Sequence, residues 1–416
     1  MVAIAALDST ERLLRVTWSD GGTDGFPWLW LRDHDAASLH PVTQQRQLHT
    51  AAMRPDLRGV ATTMTGDGIE IEWNDGSPPS ALTIEFLAQF RGSEPASHVA
   101  HAPNLWDRDS ITAAWPTMQY DDVMASDDGV GDWLRLVATY GFCIATGTPA
   151  TVEATERLLR RVGYIRETIF GGFWDFQADL SKADTAYTNL ELLPHTDGTY
   201  SNDAPGLQLL HCLAFDGEGG ESTMVDGFRV AAELSASDPA AYAVLSRVEV
   251  PGQYIGDGSH LVARRPVLRH DASGRLVQVS FNNADRAPFL LPPQEMDAFY
   301  AALREFDALT NDARLQWRRV NPPGDAMLFD NWRVLHGRTA YTGHRHLCGG
   351  YVNREDFESR LRLTTLRACA TTCVCTRRSC SDSNTSCGRC RAMRGTTRRR
   401  ATGGRRGRSP GMRSVS

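Results

Sequence analysis

Two short stretches constrain this chain more than anything else, because their chemistry requires them to meet in space. The first is Leu192-Leu193-Pro194-His195-Thr196-Asp197-Gly198-Thr199-Tyr200. The second, Phe329-Asp330-Asn331-Trp332-Arg333-Val334-Leu335-His336-Gly337-Arg338, places His336 141 residues after His195. Side chains alternate faces along an extended strand, so His195 and Asp197 point the same way and can hold one metal ion from one side. His336 supplies a third ligand. Two imidazoles and one carboxylate on one face, with the opposite positions open, suit non-haem Fe(II) and oxygen chemistry. A His-x-Asp tripeptide alone is weak evidence, since a lone His is more often structural; its context must agree.

The context is a run of short strands around Gly206–Leu213, Glu221–Val225, Arg275–Phe281, Ala326–Phe329 and Cys348–Val352, with turn signals between them. Such a run suggests a sandwich or barrel. A jelly-roll barrel brings distant strand edges together at one open mouth, where a ligand would sit. Helices intervene: Asp128–Tyr140 carries Trp133, Leu136, Val137 and Tyr140 at helical spacing, after a connection from Leu105 to about Asp122. Thr151 is an N-cap for a helix with a Glu156–Arg160 pair, and Asp238-Pro239 starts another. The helix from Pro292 presents Met296, Phe299, Tyr300, Leu303 and Phe306 as a core face.

Residues 1–97 read as a small β-rich domain. Leu14–Trp18 and Ile69–Trp73 alternate apolar and polar, and each is followed by a turn signal. The aromatic run Phe26–Asp33 reads as a further buried strand. His34, His40 and His49 match no tight ligand spacing and read as loop residues. Residues 98–366 form the larger domain, mainly β with flanking helices. Residues 367–416 hold thirteen Arg, one acidic residue and six Cys without apolar periodicity, and read as a disordered tail. On that reading, truncation after Leu366 leaves activity intact. An Arg-rich tail is also what a nucleic-acid-binding protein would carry, a second class of function that the intact ligand triad argues against.

Composition narrows the class. Hydrophobic content of 41% and charge of 23% are those of a soluble globular protein. No apolar run is long enough to cross a bilayer, and the first residues show neither an export signal nor an import presequence. Only Cys143, Cys212 and Cys348 precede the tail, which is no disulfide framework and fits a reducing compartment. A cytoplasmic enzyme is the expectation.

Four stretches, Ile165–Gly171, Asp184–Thr188, Val225–Phe228 and Asp330–Arg338, occur in an order that resembles the taurine dioxygenase superfamily. The branch is that of γ-butyrobetaine hydroxylase and trimethyllysine dioxygenase, and the resemblance runs from about Trp28 to Leu366. It implies a double-stranded β-helix (jelly-roll) core, dependence on Fe(II) and 2-oxoglutarate, and ascorbate as reductant. His195, Asp197 and His336 would be the iron ligands. Arg345, nine residues after His336, stands where the family binds the far carboxylate of 2-oxoglutarate, a task suited to a planar guanidinium. Ser222 stands where relatives place a hydroxyl on the cosubstrate.

A trimethylammonium head has charge but no N–H donor, so aromatic faces recognise it. Phe170, Trp174, Tyr187 and Tyr351 stand at the family's cage positions. Gly198 replaces an aromatic found in γ-butyrobetaine hydroxylase, which implies a more open cage. Asp184 stands where that enzyme has a neutral asparagine. An aspartate would attract an α-ammonium group, which trimethyllysine has and γ-butyrobetaine lacks, and Asn282 could bind the substrate carboxylate. The expectation is hydroxylation of an unactivated carbon in a trimethyllysine-like amino acid, as in carnitine biosynthesis. The alternative is γ-butyrobetaine or another small amine or amino acid. The partners expected are this small molecule and O2, without membrane or nucleic acid, and a homodimer is left open. Relatives bind zinc in the N-terminal domain through cysteines and one histidine. Here no cysteine precedes Cys143 and Ser77 stands at the histidine's place, so that site is expected to be lost.

Overall fold

The protein is described by a computed structural model covering residues 2–92, 102–177, 189–256 and 258–364. Two compact units divide the described residues, one within 1–100 and one within 101–383. The expectations for Asp184, Tyr187 and the Arg-rich tail lie outside the described residues.

The first unit holds two three-stranded antiparallel sheets. One comprises Ile4–Ser9, Leu13–Trp18 and Thr23–Pro27, the other Gly59–Met64, Gly68–Trp73 and Ser80–Thr83. Alternation sends Leu14, Val16 and Trp18, and likewise Ile69, Ile71 and Trp73, into one core. The aromatic run departs from expectation: its strand ends at Pro27, and Trp28–Asp33 is a helix. Trp28 and Leu31 are buried while Leu29 is exposed, a spacing of three that a strand cannot present to one side. His34 stacks on Trp30 at 4.4 Å between ring centroids instead of standing free in a loop. A Cβ at Gly59 would come within 2.7 Å of the Trp28 ring, so only glycine admits that indole.

The second unit is built on two curled sheets. The larger runs in the order Phe173–Gln177, His344–Val352, Leu207–Asp216, Ala326–Asp330, Phe142–Thr146 and Thr117–Gln119. The smaller runs Leu192–His195, Val334–Arg338, Ser222–Asp226 and Gln316–Arg319, antiparallel throughout. Side-chain alternation makes these sheets a sandwich. Phe142, Ile144, Met327 and Phe329 of the larger sheet meet Met224, Trp317 and Val334 of the smaller between them. Their neighbours Cys143, Ala145 and Leu328 point outward against helices Asp127–Tyr140 and Val152–Val162. Val225 and Leu335 point outward against helices Gly227–Ser237, Pro239–Arg247 and Pro293–Thr310. The central strands Phe142–Thr146, Ala326–Asp330 and Ser222–Asp226 are thus buried on both faces, and the fold is the jelly-roll of a double-stranded β-helix.

The helices start where their capping residues stand. Ser126, Thr151 and Asp238 accept hydrogen bonds from Gly129 N, Ala154 N and Ala241 N. Two segments differ from expectation. The stretch read as a connection contains helix Arg108–Ala113, closed by an Asp107–Ser110 capping box, and helix Tyr120–Ala125. On helix Pro293–Thr310, Phe299 and Phe306 are buried, but Tyr300 is 41% exposed and lines a large cavity instead of the core.

Candidate metal and substrate site

His195 is the last residue of its strand, and it pairs in register with His336 on the adjacent strand. Neighbouring positions on paired strands set the two rings 4.4 Å apart. Asp197 is not on the strand, as alternation alone would have it; it lies in the turn that follows. Thr196 between them binds the backbone of Phe281, through its amide at 2.7 Å and by accepting from Phe281 N at 2.9 Å. That anchor turns the Asp197 carboxylate toward the imidazoles. His195 Nε2 is 3.4 Å from Asp197 Oδ1, and His336 Nε2 is 3.6 Å from Asp197 Oδ2. Among the described residues this is the one group of three ligand-type side chains whose donor atoms converge, all within 4.8 Å.

The donors fit a metal ion. His195 Nδ1 is 2.8 Å from the Leu193 carbonyl, which accepts its proton and leaves Nε2 free to ligate. Burial drives the His336 imidazole toward its neutral form, with a pKa pushed down to about 4. Burial alone would raise Asp197, but His336, His195 and the Tyr351 hydroxyl together hold it well below the usual carboxylate range. For His195 burial opposes protonation, but the hydrogen bond and charge of Asp197, with the Leu193 carbonyl and Asp285, together raise its pKa above the ordinary imidazole value.

The second stretch carries supports as well as a ligand. Asn331 Nδ2 donates to Asp197 O at 3.0 Å and to Pro205 O at 2.9 Å, while its Oδ1 accepts from Asp197 N at 2.8 Å. Trp332 Nε1 donates to Ala204 O. Arg333, 2% exposed, makes a bidentate pair with Asp226 through Nε at 3.0 Å and Nη2 at 2.8 Å. Asp226 also accepts from Trp106 N and Phe228 N, which explains the Val225–Phe228 stretch as structural.

A cavity of about 870 Å³ opens at the triad. Phe170, Trp174, Ser222, Asn282, Arg345 and Tyr351 all line it. Trp174 meets Tyr351 edge-on at 4.4 Å. Tyr351 has a second task, since its hydroxyl donates to Asp197 Oδ2 at 2.7 Å. Ser222 accepts from Asn321 Nδ2 at 3.1 Å. Asn282 gives one amide hydrogen to Asp285 and accepts from Ala284 N, so its side chain is largely committed within its own turn.

The family description "Taurine catabolism dioxygenase TauD, TfdA family" matches residues 102–351, and "Gamma-butyrobetaine hydroxylase-like, N-terminal" matches residues 5–87. The chain belongs to the TauD/TfdA family. It is a dioxygenase that depends on iron and 2-oxoglutarate. It is 34% identical to a trimethyllysine dioxygenase of Meyerozyma guilliermondii over 84% of this chain and 92% of that one. Identity is 33% to the mitochondrial trimethyllysine dioxygenase of Homo sapiens, over 82% of this chain and 83% of that one. It is also 33% to a γ-butyrobetaine dioxygenase of a Pseudomonas species, over 86% and 95%. A Burkholderia xenovorans taurine dioxygenase structure aligns at a TM-score of 0.43 and 15% identity over 54% of this chain and 80% of that one. No helix among the described residues is long and apolar enough to cross a membrane.

In this family member the sequence motifs leave several cavity residues unmarked. Tyr200 lines the cavity and packs on Tyr254 at 5.3 Å, and Tyr254 packs on Phe170 at 5.6 Å. Only the closeness of Tyr200 to Asp197 could have flagged it. Arg338 stands in the cavity beside Arg345, whose pKa is pushed down to about 10 by burial and by Arg338. Both remain cationic at neutral pH, and their guanidinium groups lie over the Tyr341 ring at 4.9 and 5.6 Å. Gly198 has a backbone reason as well: it sits at φ +72°, and a Cβ there would come within 2.6 Å of Pro205 Cδ.

Proposed function

We propose that this chain hydroxylates an unactivated carbon of trimethyllysine. The observation that carries the reading is the joining of an aromatic wall to the triad in one cavity: Phe170, Trp174, Tyr200 and Tyr351 offer ring faces and no carboxylate, which suits a quaternary ammonium. Identity to trimethyllysine dioxygenases over most of both chains supports it.

In this reading His195, Asp197 and His336 hold Fe(II), which together with 2-oxoglutarate supplies O2-dependent hydroxylation with release of succinate and CO2. Arg345 binds the far carboxylate of 2-oxoglutarate, with the Ser222 hydroxyl beside it and Arg338 adding positive charge. Tyr351 and Asn331 orient Asp197. The aromatic wall fixes the trimethylammonium end, so that one C–H is held toward the metal and water is displaced from the apolar part of the cavity. By the family resemblance Asp184 and Tyr187 belong with the substrate residues, Asp184 as the counter-charge for an α-ammonium group. The partners are this amino acid and O2. We place the enzyme in the cytoplasm, a reading supported by three buried free thiols at Cys143, Cys212 and Cys348.

The relative from Pseudomonas favours a second reading, γ-butyrobetaine as substrate. The two differ in the α-ammonium group, so the test is an Asp184→Asn variant beside the wild type, assayed for succinate with each compound in Fe(II) and ascorbate. Trimethyllysine turnover is expected to fall at least about 10-fold in the variant, as for loss of a charge contact. Faster turnover of γ-butyrobetaine than of trimethyllysine by the wild type would overturn the reading.

A further inference from the structure

Beside the main cavity lies a smaller pocket of about 30 Å³, with which it shares Phe281, Asn282, Asn283 and Leu303. Its other walls include Arg265, Ser280 and Arg286. Arg265 ends the strand Ser259–Arg265 and is 7% exposed, and neither of its terminal guanidinium nitrogens has a hydrogen-bond partner. Arg286 Nη1 is likewise buried and unpartnered. Arg286 is held in place by its backbone bridge to Gly252 and lies over the Tyr300 ring at 5.7 Å.

This arrangement is costly as it stands. A guanidinium out of water needs a counter-charge or a full set of acceptors, and an unpaired buried charge is strongly destabilising. Arg265 instead feels the charge of another cation, Arg269, while the acid that acts on it, Asp203, is bound by Arg166 at 3.0 Å. Burial and Arg269 lower the Arg265 pKa to about 10, which still leaves it charged at neutral pH. The walls supply donors around a volume that suits a planar group of two oxygens.

We propose that this pocket seats the carboxylate of the substrate, gripped by Arg265 and Arg286, so that these arginines select for an amino acid or betaine with an intact anionic end. The proposal rests on the reading of the main cavity as the substrate site. It places the anionic end on the Asn282 side, where the asparagine side chain itself is already engaged with Asp285 and Ala284.

The test compares binding of trimethyllysine and of its α-carboxamide to the Fe(II)- and 2-oxoglutarate-loaded protein without O2, in wild type, Arg265→Met and Arg286→Gln. The wild type is expected to prefer the carboxylate by about 100-fold, as for a buried charge contact, and each variant to lose most of that preference while binding the amide as before. An unchanged preference in both variants overturns the proposal and assigns the arginines to a structural role. A second arm uses acetate alone as the probe and reads Tm. Acetate is expected to raise the Tm of the wild type and not that of Arg265→Met. If trimethyllysine fails to bind while acetate protection depends on Arg265, the carboxylate pocket stands and the trimethyllysine reading falls. Acetate protection equal in wild type and variant overturns the pocket itself.

Discussion

Tyr351 shows how much one side chain can carry. Its ring packs edge-on against Trp174 in the cavity wall, and its hydroxyl reaches Asp197 Oδ2 at 2.7 Å. Motif resemblance marked the ring as a cage member but could not mark the hydroxyl's task, because that depends on where strand His344–Val352 passes the Asp197 turn. Tyr351→Phe separates the two. The ring surface is kept, so the KM for trimethyllysine is expected to stay within about 2-fold, while Fe(II) affinity falls roughly 10-fold, as typical for losing a partner of a metal ligand. Titration of the metal-free protein with Fe(II) without O2 measures the second quantity, and unchanged affinity would show that the hydroxyl does not support Asp197. At the same scale, His195, Asp197 and His336 were legible because their ligand types stand in two motifs written in the chain, although Asp197 reaches the metal site from a turn and not by strand alternation. Arg265 and Arg286 were not: an arginine is informative only when buried without a partner, and that is a property of packing.

Among the elements, alternation on the sheets was readable and their boundaries less so. The strand expected over Cys348–Val352 begins at His344. The aromatic run after Phe26 turned out helical because Pro27 ends the strand and Trp28 and Leu31 share one side. A polar cluster that joins helix Val152–Val162 to the larger sheet was invisible in sequence. Thr155 Oγ1 donates to Thr151 O at 2.9 Å, accepts from His211 Nδ1 at 2.6 Å and from Cys348 Sγ at 3.1 Å. Burial lowers the His211 pKa from 6.5 to about 4. Between those values the folded protein binds fewer protons than the unfolded chain, so stability rises with pH through this window and is lost as pH falls. The shift corresponds to about 3 kcal/mol at most. Urea unfolding at several pH values is expected to show a shallower acid-side slope in His211→Leu than in the wild type. Identical slopes would mean that His211 does not titrate with folding.

For the whole molecule, the jelly-roll follows from many short strands with turn signals and from two ligand stretches that could meet only through long-range pairing. What the sequence could not convey is how the sheets share the work. The larger sheet supplies Trp174, Arg345 and Tyr351, the smaller supplies His195, His336 and Arg338, and the segment Asp330–Arg338 passes from one to the other with Asn331 and Arg333 pinned on the way. In the complete protein the cavity therefore couples 2-oxoglutarate consumption to hydroxylation of a trimethylammonium amino acid. The direct measurement is mass spectrometry of the products formed from trimethyllysine under isotopically heavy O2, with succinate quantified alongside. The expected product is a hydroxylated amino acid carrying the heavy oxygen, formed one-for-one with succinate and absent in a His336→Ala variant. Succinate without any oxygenated trimethyllysine, or equal product from the variant, would contradict it.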